Sequence, residues 1–229
     1  MARPECAWCG RLPLGPYEVS MQDERTCVAH GAASRCSLCG RPRPPGPGWY
    51  EPFRRRPRCP TCSVGAVDTQ EQARRHIPGV RADMAALGVS LDRRVRVTLV
   101  DTMPTIDGAS PTGLTHSFKE TGEVIGIEVL SGLTAVHFGQ TVAHEIGHAW
   151  LIERGAAVTH PVLVEGLCEV FASAWLKKQP GALPPRLREA MATNPDKTYG
   201  AGYRVVREAV VRNGIRKVLH ALCVTGRLP

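Results

Sequence analysis

The sequence predicts a mixed α+β chain in which a small sheet packs with helices behind a short module folded around metal. Three observations lead there. Cys and His pairs crowd the first 65 residues, where periodic apolar runs are scarce. Two later segments alternate with the period of a half-buried strand, and beyond residue 140 the apolar residues recur at helical spacing. With 229 residues and 43% hydrophobic content, the chain has room for one well-cored domain and a small module. The expected boundary gives residues 1–65 to the module and 66–229 to the larger domain.

In the module, Cys6 and Cys9, Cys27 and His30, Cys36 and Cys39, and Cys59 and Cys62 form four pairs, each with two residues between its members. Eight such ligands suffice for two closed tetrahedral zinc sites. A segment so poor in core residues needs staples of this kind to fold. Seven of the nine cysteines precede residue 63, and MARPECAWCG lacks the apolar core of a secretory signal, so metal is expected over disulfides, in a reducing, cytoplasmic setting. Cys168 and Cys223 each lie in an apolar segment and are expected to be structural.

The formal net charge of +8 is unevenly placed, because residues 1–65 hold ten Arg against five acids. Two zinc ions held by seven thiolates would reduce that local +5 to about +2. With few aromatic residues interleaved, nucleic acid is not an expected partner. Arg54, Arg55 and Arg56 read as a solvated charge run, with phosphate contact as the alternative. No run of 18 apolar residues occurs, so no membrane partner is expected either.

Along the larger domain, Asp68 to Glu71 reads as a capping box opening a helix that Pro78 interrupts, with a second helical stretch from Val80 to Leu87. Arg94 to Val100 and Val124 to Leu130 read as strands. Between them, Pro104 to Thr115 is a long turn-rich connection of the kind that borders sites. Helices follow over Gln140 to Glu153, Pro161 to Lys178 and Tyr203 to Val224.

The chemistry concentrates in His144-Glu145-Ile146-Gly147-His148. Two histidines one helical turn apart point from one face and can grip one metal, while Glu145 stands beside them to activate a zinc-bound water and pass its proton to a leaving amine. Sixteen residues separate His148 from Glu165, and two His with one Glu is a catalytic zinc set that leaves a position open. Glu169, one turn beyond Glu165, can accept the other ring N–H of a ligating histidine. His116, His137 and His160 lie near these motifs without a partner at ligand spacing, and are expected to be surface or core histidines.

This arrangement resembles the gluzincin metallopeptidases, which implies a zincin-like fold with His144, His148 and Glu165 on the metal. LSGLTAVHFGQTVAHEIGHAW, VEGLCEVFASAWL and TYGAGYRVVREAVVRNGIRK are also similar to the plant "DA-one" family of LIM-containing, ubiquitin-activated peptidases. That resemblance implies cleavage of intracellular protein or peptide substrates. It also matches Tyr199 to a YGxG segment, making it the candidate oxyanion donor, with a buried core tyrosine as the other reading. By analogy with zincins, Val124 to Leu130 is expected to flank the cleft and pair with extended substrate. The first zinc knuckle begins at Cys6, so the ubiquitin-interacting motifs of the plant relatives are not expected here, nor is dependence on ubiquitin.

The gaps of seventeen and nineteen residues inside the two halves of the module resemble a LIM domain. That implies sequential pairing: Cys6, Cys9, Cys27 and His30 around one zinc, then Cys36, Cys39, Cys59 and Cys62 around another. With the catalytic ion, this makes one catalytic and two structural zincs. The Cys-then-His order and the five residues between halves depart from the usual LIM pattern. LIM modules usually bind proteins, so the module reads either as a docking site for substrate or partner, or as a cap supporting the second domain. A non-catalytic LIM-type adaptor with a structural metal site is the alternative to a peptidase, and a zinc-dependent nucleic-acid binder ranks below it.

Overall fold

A computed structural model describes residues 5–30, 34–43, 49, 57–106, 110–118 and 120–229; Arg54, Arg55 and Arg56 lie outside the described residues. The chain is of the mixed α+β class. In the N-terminal part, β1 (Tyr17–Val19) and β2 (Arg25–Cys27) pair antiparallel. After α1 (Pro60–Ser63), the short β3 (Ala66–Val67) pairs with β7 (Leu133–Thr134), which leads directly into α3 (Ala135–Glu153).

A helix α2 (Gln70–Ala86) precedes the main sheet of β4 (Val97–Val100), β5 (Gly113–Ser117) and β6 (Val124–Leu130), ordered β4-β6-β5. Here β6 runs parallel to β4 and antiparallel to β5. Four helices follow α3: α4 (Pro161–Lys178), α5 (Leu183–Thr193), α6 (Tyr199–Asn213) and α7 (Ile215–Thr225). Among the described residues no helix is long and apolar enough to cross a membrane.

Several elements differ from their sequence reading. Thr69, not Asp68, caps α2, because its hydroxyl accepts from Gln72 N while Gln72 Oε1 accepts from Thr69 N, and Asp68 is taken by Arg58. The helix continues through Pro78, since Ala73, Ile77, Val80 and Met84 bury one face on both sides of it. Residues 94–96 stay outside β4, and the connection expected to reach Thr115 gives way to β5 at Gly113. The last expected helix begins at Tyr199 and is split at Gly214, whose φ of 79° places it outside helical geometry.

The strand expected to receive substrate is central. Both edges of β6 are occupied, and the outer edge of β4 bonds the Gln70 side chain through Val97 O and Leu99 N, so among the described residues the open edge belongs to β5. Register decides which groups face it. Leu130 N donates to Thr112 O at 2.8 Å, and Ile127 N donates across the other side to Arg96 O at 2.8 Å. In antiparallel alternation, Gly113 and Thr115 therefore turn their backbone groups away from β6.

The core lies where α2, α3 and α4 meet the sheet. From α3, Phe138, Val142 and Ile146 are enclosed, joined by Leu167, Phe171 and Trp175 of α4 and by Ile127 and Val129 of β6. Each such side chain contributes about 1.5–3 kcal/mol by leaving water. The close approach of α3 and α4 rests on missing side chains. A Cβ on Gly139 would stand 2.2 Å from the Trp175 ring, and one on Gly147 would stand 3.0 Å from Cys168 Sγ. At the α4–α6 crossing, a Cβ on Gly166 would stand 2.4 Å from the Gly202 carbonyl.

Gly166→Ala is accordingly expected to cost about 1–3 kcal/mol by forcing α4 from α6. Gly79→Ala, with open space around the added Cβ and a helical position, should stabilise by up to about 1 kcal/mol. Denaturant midpoints of the two variants give the comparison.

Candidate metal centre

Thr134 caps α3 by accepting from His137 N, and the helix that follows puts His144 and His148 one turn apart with their rings edge to face. Their Nε2 atoms lie 3.1 Å from each other. Opposite them, α4 delivers Glu165, whose Oε2 is 3.1 Å from His144 Nε2 and 3.4 Å from His148 Nε2. One turn on, Glu169 Oε1 is 3.0 Å from His144 Nδ1, so it accepts that ring N–H and leaves Nε2 free to bind.

Three acceptor atoms thus converge at one point, with too few protons to satisfy one another. A tetrahedral ion with bonds of about 2.0–2.2 Å has ligand edges of about 3.3–3.6 Å, close to this triangle. The donor set therefore fits a divalent cation such as zinc. Electrostatics say the same. Burial disfavours a charged His144, yet the hydrogen bonds it donates to Glu165 and Glu169 and the charge of Glu145 outweigh that and push the imidazole up to about 10. Burial likewise opposes ionised Glu165, but its bonds to the two histidines hold it down to about 2.

Cys168 Sγ also lies within 4.8 Å of the two imidazoles. Burial, followed by the charges of Glu165, Glu145 and Glu169, holds its thiol well above the ordinary range. It therefore packs as a neutral thiol against Gly147, and the nearer Glu165 oxygen is the better ligand.

Next to His144 on α3, and near enough for its charge to act on that imidazole, Glu145 is only 5% exposed and meets β5. Thr115 donates its hydroxyl to Glu145 Oε2 at 2.7 Å, and a Cβ on Gly113 would stand 2.7 Å from Oε1. Sequence reading missed both residues. A glycine inside a strand signals close backbone approach, but the strand itself had been read as loop.

Tyr199 opens α6, its ring centroid 6.3 Å from that of His144. Asp196 Oδ1 accepts from Tyr199 N at 2.7 Å and anchors that turn. Tyr199 remains 40% exposed, with its phenol pushed up to about 12 by burial and then by Glu165, Glu145 and Glu169. The buried core tyrosine is Tyr203, bonded to Ser173 at 2.9 Å. His116 pairs with Glu128, and His137 is enclosed beside Thr134 and pushed down to about 4 by burial. Neither they nor His160 joins the metal group.

The cysteine-rich part brings together two further groups that could hold metal: Cys6, Cys9, Cys27 and His30, and separately Cys36, Cys39, Cys59 and Cys62. All nine cysteines are free. Backbone N–H groups point at the sulfurs, as Cys59 N does at Cys36 Sγ and Cys27 N at Cys6 Sγ, which favours thiolates. In the second group, bonds from Cys39, Cys59 and Cys62 drive Cys36 down, while those with Cys36, Cys39 and Cys59 drive Cys62 up. Such crowded sulfurs ionise together only around a cation.

The family described as "DA1-like: Protein DA1" matches residues 58–183. Protein DA1 of Arabidopsis thaliana is 30% identical over 146 residues, covering 51% of this chain and 27% of that protein. Protein DA1-related 2 of the same plant is 23% identical over 201 residues, 72% of this chain and 37% of its own length. The LIM domain-containing protein HDR3 of Oryza sativa subsp. japonica is 24% identical over 207 residues, 72% of this chain and 39% of its own. The chain thus spans about a quarter to two fifths of the length of these relatives. No solved structure matches significantly.

Because His144 holds its proton up to about pH 10 in the bare site, a metal entering at pH 8 must displace it. Calorimetry in buffers of different ionisation enthalpy, with the cysteine groups already filled, should register about one proton released. Glu169→Gln should weaken that metal by about 10–100-fold.

Proposed function

The chain belongs to the DA1-like family, and from that premise we propose that it is a zinc-dependent peptidase of intracellular proteins or peptides, with a zincin-like catalytic domain over residues 66–229 and a LIM-like module over residues 1–65. The observation that carries this reading is the convergence of His144 Nε2, His148 Nε2 and Glu165 Oε2 beside an enclosed Glu145. A purely structural metal site has no use for the last of these. The LIM-like assignment is supported by the two cysteine groups and by the similarity to the LIM domain-containing rice relative. In this reading His144, His148 and Glu165 hold one catalytic zinc, and the cysteine groups hold two structural ones.

Bound zinc would serve as a Lewis acid, polarising the scissile carbonyl and making water more acidic. The chain's own residues do the rest. Glu145 takes the proton of the attacking water and delivers it to the departing amine, a role worth about 10²–10⁴ in rate. Tyr199, protonated at neutral pH because its phenol is pushed up to about 12, supplies a hydrogen bond to the developing oxyanion. The open edge of β5, where Gly113 and Thr115 present backbone groups, pairs with extended substrate in place of β6.

Glu145→Gln should keep its zinc and lose at least about a hundredfold in turnover, and Tyr199→Phe about tenfold or more with metal retained. Metal analysis should give about three zincs per chain. Comparison of new protein termini in lysates treated with the native chain or Glu145→Gln tests the reading directly. Cleavage undiminished in that variant sinks it.

A further inference from the structure

Thr115 sits on the open-edge strand β5, thirty residues before Glu145, and its hydroxyl lies 2.7 Å from Glu145 Oε2 and 3.0 Å from the Glu145 main-chain oxygen. One hydroxyl has one proton to give. A carboxylate is the stronger acceptor, and the main-chain oxygen already belongs to the helix, so the proton goes to Oε2.

The other carboxylate oxygen is treated differently. Oε1 makes no hydrogen bond among the described residues, and it is absent from the enclosed polar atoms that lack a partner. It is not enclosed, and the buried Gly113 makes room for it by omitting a Cβ that would stand 2.7 Å away. The two oxygens of one carboxylate are thus made unequal by a strand that also borders the cleft.

We propose that Thr115 is a positioning residue for Glu145, holding Oε2 so that Oε1 is the oxygen that accepts and returns the moving proton. The inference rests on the peptidase reading above. In the first half of the reaction, the O–H bond of the attacking water breaks and a proton bonds to Oε1. In the second half, that proton passes to the departing nitrogen as the C–N bond breaks. Throughout, Thr115 keeps its donor bond to Oε2, which accepts it in both the charged and the neutral carboxyl. Without that bond the carboxylate is free to rotate, and the proton-carrying oxygen loses its fixed place relative to the substrate. Because the hydroxyl touches the base, while the backbone groups that pair with substrate are left unchanged by side-chain substitution, the effect belongs in kcat.

The test uses the full zinc-loaded chain and a quenched fluorescent peptide chosen from a library by cleavage with the wild type. Thr115→Val should lower kcat by about ten- to hundredfold, the worth of one hydrogen bond to a charged group, with KM within about twofold and zinc content unchanged. Thr115→Ser, which keeps the hydroxyl, should recover kcat to within about threefold of wild type. A second readout needs no turnover. In protein carrying ¹³C-labelled glutamate, the infrared carboxylate band that disappears in Glu145→Gln should shift in Thr115→Val and stay in place in Thr115→Ser.

Wild-type kcat in Thr115→Val, equal losses in Val and Ser, a loss confined to KM, or departure of zinc each overturns the proposal. Should valine prevent folding, Thr115→Cys, similar in size but a weak donor, must show the same fall and band shift, and its failure to do so overturns the idea equally. An inert Glu145→Gln beside a normal Thr115→Val removes Thr115 alone, whereas an active Glu145→Gln removes the peptidase reading with it.

Discussion

Everything at the metal centre depends on how closely α3 and α4 approach. His144 and His148 sit on one helix and Glu165 on the other, so their atoms meet at 3.1–3.4 Å only if the helix axes come near. Gly139 and Gly147 make that approach possible, since a Cβ at either would run into Trp175 or Cys168. Large buried side chains then hold the pair together, with Phe138 and Ile146 from α3 and Leu167 and Phe171 from α4 enclosed around the contact. Packing of apolar surface thus supplies the force, and the two glycines set the distance at which it acts. The Gly166–Gly202 crossing does the same for α6 and carries Tyr199 toward His144.

That geometry creates an electrostatic debt. Glu145, Glu165 and Glu169 surround two histidines inside a largely closed space, and no Lys or Arg among the described residues pairs with any of them. Buried carboxylates survive only by finding positive charge. In the bare chain a retained proton on His144 answers part of the need, and a divalent ion answers it better, because it also occupies the point where three acceptors face one another. The same reasoning covers the four sulfurs of Cys36, Cys39, Cys59 and Cys62, which are buried together.

Residues whose relation is fixed by a helical turn were legible in the sequence. His144 and His148, or Glu165 and Glu169, share a face whatever the tertiary fold does, and Pro161 and Pro180 bracket α4 without outside help. The strand Val124–Leu130 was legible for the same local reason, its period of two. What could not be read depends on partners distant in sequence. Gly113 looks like punctuation beside Pro111, yet it is a strand residue made small by Glu145, thirty-two positions away. The central position of β6 follows from β4 and β5 closing on both sides, which no alternation within β6 encodes. Over helix α5 the sequence reading assigned no element, although Pro184 and Pro185 suit a first helical turn.

The junction near residue 65 bears on what the cysteine-rich part does. Arg58, 2% exposed and adjacent to Cys59, donates to Asp68 at 2.7 and 2.9 Å and to the carbonyl of Gly132 at 2.9 Å. Two residues after Gly132, Thr134 caps α3, and His137 in its first turn is enclosed near Cys36 and Leu38. A buried guanidinium satisfied on both sides is costly to strip of either partner. The second cysteine group is therefore fastened to the start of the helix that carries His144 and His148. That weighs toward support of the larger domain for this half. Leu12, Leu14 and Val28, in the segment of the first group, remain exposed instead.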